Sequence, residues 1–332
     1  MKRFLPLLFL PLAALAADYP TLGQIERLDP ALDALIPKDA KIEKLAEGFT
    51  WAEGPVWKEG ALLFSDVPEN IVYQWKPGAT KAEIFLKPSG MLTPRAGFRE
   101  QGSNGLGLDA TGHLILCEHG ERRLARLEDD RAQTALVDRF EGKRFNSPND
   151  LAIRRSGEIY FTDPPYGLEK LNDSPIKELP FHGVYRLQKD GKVSLLTKEI
   201  EFPNGIAFSP DEKTLYVGVT APNNSRIMAF DVKEDGAVAN SRVFWNAVPL
   251  QQAGAKGSCD GMKLDSQGNI FTSAPGGVAV LSPAGKVLGF IKTGDLIANC
   301  AWGDDGSTLY LTANHWLCRV KTSTKGDKFP TK

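Results

Sequence analysis

The chain has 332 residues, 42% of them hydrophobic and 24% charged, which is the balance of a soluble globular protein with one large domain or two ordinary ones. Its 40 basic and 41 acidic residues nearly cancel, which argues against a nucleic-acid footprint or a basic membrane-binding patch.

The first element is a leader. Lys2 and Arg3 form a basic start, residues 4–15 an apolar run broken by prolines, and Ala14-Leu15-Ala16 a small-residue cleavage site. Residues 1–17 are therefore expected to be a secretory signal peptide, which places the mature chain in the periplasm or outside the cell. The apolar run is too short to span a bilayer, and no later segment is long enough. Residues 18–45 read as a short leader with room for one helical turn, residues 46–325 as the folded domain and residues 326–332 as a tail. The four cysteines, Cys117, Cys259, Cys300 and Cys318, form no CxxC and no zinc spacing, and one disulfide or none is compatible with a domain this large.

From residue 52 onward one pattern recurs six times: "AEGPVWKEGALLFSD", "SNGLGLDATGHLILCE", "PNDLAIRRSGEIYFTD", "PNGIAFSPDEKTLYVG", "CDGMKLDSQGNIFTSA" and "ANCAWGDDGSTLYLTA". Each copy has a polar residue, usually followed by Gly or Asp, then a short apolar strand, a Gly- or Asp-rich turn and a second strand. Further strand-like runs such as "GVYRLQKDGKVSLLTK" lie between the copies, and no long helical period appears. The polar positions, Glu53, Asn104, Asn149, Asn204, Asp260 and Asn299, are 39 to 56 residues apart, a blade-sized period. The expected fold is all-β: a six-bladed β-propeller of four-stranded antiparallel blades around a central channel. A β-sandwich would have to repeat the same local order six times by coincidence.

In a propeller the first strand of each blade lines the channel, so six equivalent positions form a ring at one mouth. This ring holds one Glu, one Asp and four Asn, all with side-chain oxygens and none with a cationic group. Unpaired, such a set is costly to bury. One divalent metal would resolve it. Ca²⁺ comes first because it accepts amide and carboxylate oxygens in irregular geometry; Mg²⁺, Mn²⁺ and Zn²⁺ are the alternatives. The competing reading makes these residues turn formers that bond their own backbone, which suits Asn better than Glu53. Asn104 and Asn299 are the ring members expected to stand back from the ion.

The motifs "AEGPVW", "SPNDLAI…GEIYFTDPPYG", "FPNGIAFSPD" and "CDGMKLDSQGNIF" resemble the gluconolactonase and regucalcin (senescence marker protein) family of six-bladed propellers, in its bacterial gluconolactonase-like style. The likeness runs from about residue 48 to 319. It implies metal ligands at Glu53, Asn204 and Asp260 and a metal or substrate contact at Asn149. Regucalcin-like members place a substrate-binding Arg two residues before that Asn; here the position is Ser147, with Arg144 nearby.

The resemblance implies a metal-dependent lactonase acting on a small-molecule lactone; the leader implies that it is secreted, and a monomer is expected. In that reading a bound cation polarises the ester carbonyl, and Asp260 serves as ligand and as base or nucleophile. Asn104, Asn149, His119, Arg144 and Asp163 are candidate substrate contacts, with His119 also a possible proton shuttle. His113 and His315 look structural or exposed. The long connections 87–101 and 168–182 are expected to form rims or lids over the ring. Two other readings use the same ring: a metal-dependent hydrolase of organophosphates or other esters, and a non-catalytic propeller with a structural ion that binds a protein or glycan.

Overall fold

The structure, a computed structural model, describes residues 18–327; the expected signal peptide and residues 328–332 lie outside it. Each repeat forms one antiparallel sheet, and six such sheets surround a channel as a six-bladed β-propeller. Blade one is Ala52–Lys58, Ala61–Asp66, Ile71–Trp75 and Glu83–Leu86. Blade two is Ser103–Leu108, Leu114–Glu118, Arg123–Leu127 and Gln133–Val137; blade three is Leu151–Ile153, Ile159–Asp163, Gly183–Leu187 and Val193–Thr197. Blade four is Pro203–Phe208, Thr214–Val219, Arg226–Val232 and Val238–Asn246, and blade five starts with Met262–Leu264, Ile270–Ala274, Gly277–Leu281 and Val287–Lys292. The last repeat supplies three strands only, Asn299–Gly303, Thr308–Ala313 and Trp316–Lys321.

The fourth strand of blade six comes from the other end of the chain. Ile42–Glu47 pairs antiparallel with Trp316–Lys321, Glu47 opposite Trp316 and Ile42 opposite Val320, and so closes the ring. Residues 18–45, expected as a leader ahead of the blades, are woven into them: Gln24–Arg27 adds a fifth strand to blade five, and Thr21–Leu22 a fifth to blade six. Between these strands the short helix Leu32–Leu35 buries Leu32, Leu35 and the following Ile36 against both blades.

Blades pack face to face, so second strands are buried on both sides: every residue of Ala61–Asp66 and Thr308–Ala313 is buried. Aromatic rings fill the wedges between blades. Trp57 of blade one stacks on Tyr310 of blade six at 5.4 Å between centroids, and Phe271 meets Trp302 edge-on. The four cysteines are buried and unpaired. Among the described residues no helix is long and apolar enough to cross a membrane.

The connections 87–101 and 168–182 brace one another. Phe98 and Leu168 form an antiparallel bridge, and the Glu169 amide donates to Gly97 at 2.9 Å. Together they make one wall, of which Arg99 and Glu100 line the cavity at the ring mouth.

Candidate active site

In three of the six blades the strand is irregular at the polar residue that begins it. In blades one, two and four the ladder slips between Glu53 and Val56, Ser103 and Leu106, and Pro203 and Ile206. Two residues bulge out of the pairing, Asn104-Gly105 and Asn204-Gly205 in blades two and four and Gly54-Pro55 directly after Glu53 in blade one. The following glycine is required by the neighbouring blade. A Cβ on Gly54 would lie 1.9 Å from the carbonyl oxygen of Asn104, and one on Gly205 2.1 Å from that of Asp260. Hydroxyls from second strands hold ring-residue carbonyls of the next blade: Ser65 donates to Asn104 at 2.9 Å and Thr162 to Asn204 at 2.7 Å.

Five ring residues, Glu53, Asn104, Asn149, Asn204 and Asp260, line one cavity of about 310 Å³. The sixth, Asn299, lies beneath them, its amide donating to Glu53 Oε2 at 3.2 Å and to Asp150 Oδ2 at 3.4 Å. Asp150 stands where four of the other five copies have Gly (Gly54, Gly105, Gly205 and Gly261), and it adds its own buried carboxylate to those of the ring. The opposite mouth is apolar, with Val56, Leu106, Ile153, Phe208 and Trp302 around Lys263.

Burial and mutual repulsion set the electrostatics of the mouth. Burial pushes the Glu53 carboxyl up to about 8, with the charge of Asp150 adding to it. Asp260 is pushed up by burial and then by the charges of Glu53, Asp150 and Glu100. Three acceptors here, Asn104 Oδ1, Asn149 Oδ1 and Asp260 Oδ1, are buried with no hydrogen-bond partner. Orphaned acceptors beside carboxylates that repel one another are what a hard cation would satisfy. Among the described residues no group of three or more His, Cys, Asp and Glu side chains is gathered to hold a metal by itself. A cation at this mouth would therefore depend on the amide oxygens of Asn as well.

The other anticipated contacts lie elsewhere. Asp163 does not face the cavity: its carboxylate accepts the backbone amides of Asn146 and Ser147, each at 2.8 Å. Burial pushes it up to about 7, against the pull of those amides. Asp66, ending the same strand of blade one, likewise accepts the amides of Thr50 and Trp51 at 3.0 Å. Both acids pin the backbone just before a ring residue, Asn149 in one blade and Glu53 in the other. Arg144 sits on the outer hairpin of Arg139–Phe140 and Lys143–Arg144, bonded to Asp138 and the Glu121 carbonyl, away from the cavity. Ser147, in the place of the expected Arg, donates to the Pro164 carbonyl at 2.6 Å and accepts the Gly167 amide at 2.9 Å, so it ties down a loop. His119 is fully buried behind Glu100 and does not line the cavity. His113 is a half-buried turn residue, and His315 donates from Nδ1 to the Phe49 carbonyl at 2.7 Å.

Several lining residues were not anticipated. Trp51 and Ser258 stand two residues before their ring positions, while Arg99, Glu100, Tyr166 and Thr220 come from connections between strands. The Tyr166 hydroxyl bonds that of Thr220, which fixes one side of the mouth.

Residues 51–315, most of the chain and all six ring positions, match the family described as SMP-30/Gluconolactonase/LRE-like region. The chain belongs to this family. It is 42% identical to a gluconolactonase of Zymomonas mobilis over 314 residues, covering 92% of this chain and 88% of that protein. The solved structure of a gluconolactonase from Xanthomonas campestris superposes with a TM-score of 0.80 at 33% identity, covering 93% of this chain and 99% of the other. A calcium-binding protein, regucalcin, from Agrobacterium tumefaciens shares the fold at 19% identity and a TM-score of 0.65, over 85% of this chain and 96% of that one.

Proposed function

We propose that this chain is a hydrolase of sugar lactones, of the gluconolactonase kind, that works at the ring mouth with a divalent cation and is exported by its leader. The observation that carries the reading is the convergence of Glu53, Asn149, Asn204 and Asp260 on one cavity, with orphaned oxygens on two of them. The match to the Zymomonas gluconolactonase across nearly the whole chain supports the substrate class.

Glu53, Asn149, Asn204 and Asp260 would hold the cation, Ca²⁺ first, since carboxylate and amide oxygens together suit a large hard ion. When bound, that ion supplies Lewis acidity toward the ester carbonyl and balances the buried carboxylates. Asp260 takes a proton from the attacking water as its oxygen bonds to the carbonyl carbon. The ring C–O bond then breaks, and the proton passes to the departing oxygen, leaving an open hydroxy acid. Asn104 faces the same cavity and donates from its amide to orient the substrate. Thr162 and Asp163 keep the neighbouring ring backbone in place and touch no substrate.

The test is turnover of glucono-δ-lactone before and after EDTA treatment and desalting, with Ca²⁺ binding followed separately by calorimetry. Loss of turnover on chelation and its return with Ca²⁺ are expected. Activity indifferent to chelation, with no heat of Ca²⁺ binding, would remove the cation from the mechanism; inactivity on every lactone would favour a binding role.

A further inference from the structure

We infer that Arg99 and Glu100, delivered from the connection between blades one and two, form an arm that reads the hydroxyl groups of the substrate; this rests on the lactonase reading above. Neighbouring residues of an extended strand point to opposite sides. Here both line the same cavity, because the chain bends at Arg99 and the two successive amides converge on one acceptor, the Gly167 carbonyl, at 3.0 and 3.4 Å. Gly167 is itself anchored by Ser147, so the arm stands on a fixed base. A site held this way loses little freedom when substrate arrives.

The pair is chemically suited to hydroxyls. Arg99 spends Nε and Nη2 on Glu100 Oε1, with the Nε contact at 3.1 Å. Its remaining N–H groups keep their donor capacity, and its side chain is 53% exposed to the mouth. Glu100 Oε2 lies 3.4 Å from His119 Nδ1, without the alignment of a hydrogen bond, and retains acceptor capacity. Each hydroxyl both donates and accepts, so an acceptor beside a donor is its complement. Arg99 also pairs with Glu100 and offsets its charge, although that charge still reaches Glu53 and Asp260. A lactone without hydroxyls would cover the pair and leave it unsatisfied, the situation in which polar sites discriminate strongly.

The experiment compares kcat/KM for glucono-δ-lactone and δ-valerolactone, which share the reacting ester and differ in hydroxyls. Wild type, Arg99→Met, Glu100→Gln and the double variant are assayed, with thermal melting as the check on folding. In the variants the preference for the hydroxylated lactone should fall by about 10- to 100-fold, mostly through KM. Equal losses on both substrates, or an unchanged preference, would overturn the arm while leaving the lactonase reading in place. Wild type inactive on both lactones would overturn that reading and the arm with it. If Glu100→Gln does not fold, the half-exposed Arg99→Met decides alone.

Discussion

Asp260 is asked to be a ligand and a base, and its surroundings make both roles expensive without a cation. Its Oδ1 is buried with no protein partner, and the charges of Glu53 and Asp150 bear on it. Replacing it with Asn keeps the shape and removes one of three like charges. Turnover of Asp260→Asn should fall by about 10²- to 10⁴-fold, the usual span for a lost general base. The same variant should melt higher than wild type in EDTA, because removing one repelling charge relieves the other two. Turnover within tenfold of wild type would remove Asp260 as the base, and a lower melting point in EDTA would contradict the repulsion. The ring acids were legible in the sequence because the repeat itself places them. Asp163 was not, since an acid that ends a strand looks the same whether it points at a ligand or at its own chain. Only the two converging amides of Asn146 and Ser147 tell the difference.

Among elements, the connection 168–182 ends in a histidine with a defined task. The backbone amide of Phe202 donates to His182 Nδ1 at 3.0 Å, so the proton must sit on Nε2, which faces Asn172 Oδ1 at 2.6 Å. Phe202 leads directly into Pro203-Asn204, so this ring tethers a ring residue to the wall. Protonation of Nδ1 would set a donor against a donor, and burial lowers the His182 pKa from 6.5 to about 4, with Lys177 adding to it. A depressed histidine is neutral in the folded chain while the unfolded chain takes up a proton, so its stabilising contribution is present above about pH 6.5. That contribution is lost as the pH falls toward 4. The loss corresponds to roughly 3 kcal/mol over that interval. Melting temperature should therefore drop between pH 7 and 5 with an added one-proton slope that His182→Gln lacks; identical pH dependence in the two proteins would refute the tether. The sequence marked both long connections as rims because they interrupt the repeat. It could not mark Arg99 and Glu100 in the first of them, or Tyr166 just ahead of the second, since a connection carries no periodicity to say which way its side chains point.

At the scale of the molecule, the repeat pattern reveals six innermost strands but not how the circle is shut. Asn299–Gly303, Thr308–Ala313 and Trp316–Lys321 take their fourth partner from some 270 residues earlier, in "KIEKLAE". No local signal links them, because pairing across that distance is specified only by the open edge each leaves. The closing strand and the elements before it should therefore contribute differently. A chain beginning at Lys38 keeps Ile42–Glu47 but loses the strand Gln24–Arg27 and the buried side chains of Leu32, Leu35 and Ile36. Each such side chain is worth about 1.5–3 kcal/mol when fully buried, so this form should fold and melt well below the full chain. A chain beginning at Gly48 leaves the edge of Trp316–Lys321 unpaired and uncovers Leu317, Cys318 and Val320, all buried in the full structure. An open apolar edge is a template for pairing with other molecules. This second form should elute as aggregate in size exclusion and show no cooperative melt. A monomeric, cooperatively melting chain from Gly48 would mean that blade six stands on three strands, and that the ring is held by blade-to-blade packing alone.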